Sequence, residues 1–217
     1  MNIHHLEKTN SILNKFIAEI RDVSVQKDAM RFRRNIERIG EILGYELSKT
    51  LTYSSENITT PLGTKESFLP VRNIVLGSIL RAGLPLHQGL LNYFDDAENA
   101  FISAYRNHPN NDAEFEIVVE YFASPSIDDK ILILADPMLA TGQSLVSVFE
   151  AIQKYGNPKE LHLVCVIGST EGIDCIKNHF PENTHLWIAA IDNELNDKGY
   201  IVPGLGDAGD LAFGTKL

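Results

Sequence analysis

Ile131-Leu132-Ile133-Leu134-Ala135-Asp136-Pro137-Met138-Leu139-Ala140-Thr141-Gly142-Gln143-Ser144 is the stretch that decides the reading of this chain. From Ile131 to Ala135 it is a continuous apolar run, the pattern of a strand buried on both faces in a parallel sheet. Asp136 and Pro137 end it. Thr141 to Ser144 then stand at the head of a helical pattern with Leu145, Val148, Ile152 and Tyr155 on one side. Unpaired N–H groups at such a helix start face whatever lies beyond the strand end and suit an anion. The hydroxyls of Thr141 and Ser144 add donors. The segment reads as a phosphate cradle, although an ordinary strand-to-helix turn with an N-cap accounts for the same residues on composition alone.

Outward from this stretch, strand and helix patterns alternate. Strands are expected over 74–80, 100–105, 131–135, 161–167 and 186–191, with helices over 84–93, 144–154 and 172–179. This alternation predicts an α/β fold, a mostly parallel sheet flanked by helices. Residues 1–50 form a helical N-terminal part, in which Phe32, Ile36, Ile39, Leu43 and Leu47 share one apolar face. A polar connection follows from Thr52 through Pro61-Leu62-Gly63. Residues 107–124 break the rhythm with a turn cluster and a strand pattern from Glu114 to Ala123, which predicts a protruding flap. A single domain over 1–217 is expected.

The 217 residues can bury a substantial core, and 44% of them are apolar. A formal charge of −10 argues against a surface devoted to nucleic acid or anionic lipid. Arg31, Arg33, Arg34 and Arg38 are interleaved with Asp28, Glu37 and Glu41, so they read as a solvated helix face. Cys165 lies in an apolar run and looks like core. Neither it nor Cys175 suggests a disulfide, and Met1 to Leu6 carries no apolar signal core, so a cytoplasmic protein is expected. His4 and His5 read as solvated residues of a mobile terminus.

Parallel sheets bind ligands beyond the carboxyl ends of their strands. The polar residues predicted there are Arg81, Arg106, Asp136 with its cradle, and Asp192. Two arginines beside an anion-binding turn suit a substrate with more than one phosphate, though each taken alone could be a structural ion pair. Gly199 to Asp210 is rich in glycine. Its G-x-G-x-x-G at Gly204, Gly206 and Gly209 lacks the strand-and-long-helix setting of a dinucleotide fingerprint. The segment reads instead as a backbone able to approach a flat ligand, docked through Tyr200, Ile201, Val202 and Phe213.

These motifs together resemble the uracil phosphoribosyltransferases. The matches are Ile79 to Leu84, Tyr105-Arg106, Asp136 to Gly142, Glu171-Gly172-Ile173, Tyr200 to Asp210, and Phe213 to Lys216. The resemblance implies a type I phosphoribosyltransferase-like fold with an N-terminal helical part, a β flap over 107–124 and a base-recognition loop and tail over 199–217. It implies transfer of ribose 5-phosphate from 5-phosphoribosyl 1-diphosphate (PRPP) to uracil, giving UMP and diphosphate with Mg2+. It assigns PRPP to Arg81, Arg106, Asp136, Pro137, Met138, Leu139, Ala140, Thr141, Gly142, Gln143, Ser144 and Asp207. Ile201, Gly206, Asp207 and Ala208 take uracil, and Arg81, Arg106 and Asp207 are the catalytic residues. No dedicated protein metal site is implied, because Mg2+ arrives with PRPP and waters and Asp207 stands near it. Homodimers or homotetramers, and GTP as an activator, belong to members of the family.

The chain departs from the family pattern at Gln143, where Gly is usual, at Gly77-Ser78, Leu84-Pro85-Leu86 and Leu211, and across the flap. A phosphoribosyltransferase for another base and a non-catalytic nucleotide-sensing or RNA-binding regulator are the alternative readings.

Overall fold

Strands that are apolar on both faces need a layer of helices on each side, and the computed structural model provides it. Residues 1–107 and 116–216 are described, with the backbone alone for 104–107 and 116–120. In chain order the elements are β1 (Asn2–His5), α1 (Leu13–Arg21), α2 (Ala29–Ser48), β2 (Tyr53–Thr60), β3 (Gly63–Pro70), β4 (Ile74–Leu80), α3 (Gly83–Leu91), β5 (Glu98–Asn107) and β6 (Glu116–Ala123). There follow β7 (Ile131–Ala135), β8 (Met138–Leu139), α4 (Gln143–Ile152), β9 (Glu160–Ser169), α5 (Thr170–His179), β10 (His185–Asp192), β11 (Glu194–Leu195), β12 (Ile201–Val202) and α6 (Ala208–Phe213).

The main sheet runs β1-β10-β9-β7-β4-β5-β6, with β8 also on β9. Every pairing in it is parallel except β5 with β6. On one face Phe32, Ile36, Ile39, Leu43 and Leu47 of α2 pack with α1, α3 and α6 against alternate residues such as Leu76, Ile133 and Val166. On the other, α4 and α5 cover Val75, Leu132, Leu134 and Cys165. Alternation of faces along a strand produces this division. Of the α2 arginines, Arg31 and Arg34 are exposed as expected, with Arg34 2.5 Å from Glu37, whereas Arg33 and Arg38 are half-buried, Arg33 donating to the Ala212 carbonyl of α6 and Arg38 lying over Phe16 of α1.

Two segments differ from the sequence reading. Residues 2–5 are β1, an edge strand on β10, and His4 stacks on Trp187 with ring centroids 3.7 Å apart. A four-residue polar segment carries no periodic signal, so only its partner strand reveals it. The connection after Thr52 is a long antiparallel hairpin, β2 with β3, turning at Pro61-Leu62. Its residues are largely exposed, so the alternation that marks a half-buried strand is absent. The expected flap corresponds to the β5–β6 pair, and residues 108–115 lie outside the described ones.

Candidate active site

Pro137, Gly172 and Gly204 show how the site is held before any ligand is considered. The Pro137 carbonyl accepts from the N–H groups of Val166 and Ile167 at 3.1 and 3.0 Å, which ties the turn after β7 to β9. Asp136 Oδ1 accepts from the Met138 N–H at 3.2 Å. Gly142 then takes φ +82° as the residue that opens α4. Ser169 donates to the Ala140 carbonyl at 2.6 Å and accepts from the Gly172 N–H at 2.8 Å, so the start of α5 supports the cradle from behind. A Cβ on Gly172 would strike the carbonyls of Ala140 and Leu139. Gly172 is therefore glycine because two backbones meet there.

The cradle opens into a cleft of about 1120 Å³ whose lining includes Arg81, Asp136, Met138, Ala140, Thr141, Ser144, Ile201, Gly206, Asp207 and Ala208. A smaller hollow at its inner end is bounded by Leu139, Gly142 and Leu145 with the same turn. Arg81 follows β4 across a cis peptide bond from Leu80. Its Nη2 reaches Asp210 Oδ1 at 2.9 Å and its Nη1 donates to the Gly214 carbonyl at 3.1 Å. The guanidinium is about one-third exposed at the cleft wall. Asp207 caps α6, its Oδ1 accepting from the Asp210 N–H at 2.9 Å, while Oδ2 lies 4.0 Å from Lys216 Nζ.

The glycine-rich segment is docked, but not through its largest side chains. Ile201, Leu205, Ala208 and Ala212 are buried in the core, whereas Tyr200, Val202 and Phe213 are each about two-fifths exposed. β11 and β12 form a small hairpin whose turn is closed by Asn196, and the chain then passes Val202–Pro203 in the cis form. Gly204, buried at φ +57°, turns the chain against Ile201, and Gly206 at φ +95° then brings main chain, rather than a side chain, to the cleft.

The sequence matches the family model for uracil phosphoribosyltransferase over residues 8–215. The chain belongs to the uracil phosphoribosyltransferase family. A uracil phosphoribosyltransferase of Porphyromonas gingivalis is 52% identical over 217 residues, covering 100% of both chains. One of Pyrococcus furiosus is 42% identical over 206 residues, covering 94% of this chain and 86% of the other. A solved Aquifex aeolicus protein superposes with a TM-score of 0.87 at 30% identity, covering 99% of each chain. The orotate phosphoribosyltransferase of Mycobacterium tuberculosis, solved with PRPP, shares the fold at a TM-score of 0.52 and 15% identity, over 90% of this chain and 98% of that one.

Against the uracil phosphoribosyltransferase pattern, Pro137 and Gln143 occupy positions apart from the cleft lining. Pro137 is buried as the strut described above. The Gln143 side chain turns to α5, where Nε2 donates to Cys175 Sγ at 3.5 Å. Arg106 is the penultimate residue of β5, paired with Ile117, and its side chain is outside the described ones. Sequence reasoning missed Arg21, whose contacts with Asp192 and Gly204 are made 171 and 183 residues away along the chain. No local pattern could have found it.

Proposed function

We propose that the chain transfers ribose 5-phosphate from PRPP to N1 of uracil, forming UMP and diphosphate. One observation carries this reading: the anion cradle, Arg81 and the base loop share a single continuous cleft. The N–H groups from Ala140 to Ser144 take the 5-phosphate, Asp136 accepts from the ribose hydroxyls, and Arg81 holds the diphosphate. Main-chain groups of Ile201, Gly206 and Ala208 read the edge of uracil. A wrong base leaves polar groups of that edge unpaired, which is costly in a buried site.

In the reaction the bond from the anomeric carbon to the diphosphate oxygen breaks and the bond to uracil N1 forms. The N1 proton leaves to Asp207, a carboxylate of the cleft lining, or to a water that it holds. Arg81, together with Arg106, offsets the growing charge on the departing diphosphate. Among the described residues no three His, Cys, Asp or Glu side chains come together to hold a metal ion. Asp136 and Asp207, however, give the cleft hard carboxylate oxygens suited to Mg2+ carried on PRPP with its waters. That ion supplies charge neutralisation at the diphosphate.

A homo-oligomer is the working form, supported by the β2–β3 hairpin. A two-stranded hairpin is marginal alone in water, and this one exposes Tyr53, Ile58, Leu62 and Phe68, which a second copy would cover. A cytoplasmic location is supported by two unpaired cysteines, and among the described residues no helix is long and apolar enough to cross a membrane. GTP activation rests on the family resemblance alone.

The decisive experiment supplies PRPP, Mg2+ and a panel of bases, with and without GTP. UMP formed from uracil in preference to cytosine, thymine and purine bases is the expected result. No UMP overturns the reading, and faster turnover of another base reassigns the substrate. Asp207→Asn keeps a good helix cap, so turnover should fall far more than thermal stability.

A further inference from the structure

The base loop reaches the cleft on irregular backbone, and something must fix the height of its peptide groups. Arg21, the last residue of α1, meets Asp192, the last residue of β10, in a two-pronged pair: Nη1 to Oδ2 at 2.7 Å and Nη2 to Oδ1 at 2.9 Å. Both side chains also hold Gly204. Its N–H donates to Asp192 Oδ2 at 2.9 Å, and its carbonyl accepts from Arg21 Nη1 at 3.0 Å. The guanidinium, the carboxylate and Gly204 form a closed ring that uses both main-chain groups of that glycine, one from each of its flanking peptide units. Gln26 extends it, donating to the Leu205 carbonyl at 3.2 Å and to the Ile20 carbonyl at 2.9 Å.

The ring is mostly buried, with side-chain exposures of 21% for Arg21 and 10% for Asp192, and neither residue lines the cleft. Burial would push the Asp192 carboxyl up, but the hydrogen bonds from Arg21 and the Gly204 N–H outweigh it and hold it below the usual carboxylate value. A planar guanidinium fixes direction as well as charge, which an ammonium cannot. Gly204 at φ +57° stands between Ile201 and Gly206. A shift of its peptide therefore moves the base-reading edge on both sides, and a site tolerates only about 0.5 Å of such error.

We infer that Arg21 and Asp192 are positioning residues for the base, acting through Gly204 to set uracil affinity and selectivity without touching the substrate. This rests on the uracil reading of the cleft. The 5-phosphate cradle hangs on β7, β9 and α5, and the ring meets it only through the pairing of Asp192 with Ser169 and through the loop's run into Asp207, so PRPP binding should change less than uracil binding.

The test is steady-state kinetics of the full chain and of Arg21→Ala, Arg21→Lys and Asp192→Asn, varying uracil and PRPP separately, with cytosine and thymine as competing bases and a melting curve for each protein. The expected result is a rise of about tenfold in KM for uracil, with KM for PRPP changed less than about twofold. Discrimination against the other bases should narrow in the same variants. The more conservative Arg21→Lys keeps the charge and should recover part of the loss seen in Arg21→Ala. If Arg21→Ala fails to fold, the two conservative variants carry the test. Equal rises in both KM values, a loss confined to kcat, or wild-type uracil kinetics in both conservative variants overturns the inference alone. If the unaltered protein forms no UMP from uracil, the functional reading fails and the inference fails with it.

Discussion

At the scale of single residues, the site depends on contacts that are short in space and long in sequence. Arg81 is held at the cleft by Asp210 and Gly214, 129 and 133 residues away, with its side chain 36% exposed. A pair so exposed adds little to folding. Arg81→Ala should therefore lower UMP formation by ~100-fold or more, as loss of a group that stabilises developing charge does, while the melting temperature barely moves; single-turnover rates and calorimetry check the two halves. Gly172→Ala tests the opposite case. Its methyl would press on the Ala140 and Leu139 carbonyls and push the cradle outward. A raised KM for PRPP and a stability loss of about 1–3 kcal/mol in urea titration are expected.

At the scale of elements, the sheet places the site and the two hairpins have different tasks. The strands β4, β7, β9 and β10 are parallel, so their carboxyl ends lie together and the groups after them converge. The β11–β12 hairpin turns the chain so that Gly204 can be gripped by Arg21 and Asp192. The β2–β3 hairpin carries exposed apolar side chains and stands outside the main sheet. Replacing residues 54–69 by a short Gly-Ser turn should shift the protein to a smaller species in sedimentation equilibrium and leave the sheet's circular dichroism in place. An unchanged mass would remove the hairpin from the interface.

At the scale of the whole molecule, a histidine cluster at the sheet edge opposes acid. His162 is buried, its Nδ1 accepting from Trp187 Nε1–H at 3.1 Å; burial first, then the neighbouring His185 and His4, pushes its pKa down to about 3. Glu160 lies 3.8 Å from its Nε2 and Asn2 contacts His185, so these are the groups that meet the ring system from β9 and β1. With the folded pKa below the unfolded value of 6.5, the stability from neutral His162 is fully present above pH 6.5 and is lost as pH falls towards about 3. The melting temperature should drop between pH 7 and 4, and His162→Gln should flatten that slope. The sequence by itself determined the α/β class, the core strands Ile74–Leu80 and Ile131–Ala135 with their boundaries, the apolar face of α2 and the family, because these rest on local periodicity and on contiguous motifs. Only the tertiary structure decided that residues 2–5 are a strand, that the polar connection is a hairpin, that Gln143 turns to Cys175, and that Arg21 and Asp192 grip the base loop. Pairing partners of short polar strands, and side chains that meet across 171 residues of chain, leave no periodic trace, since their stabilising partner is set by packing rather than by neighbours in sequence.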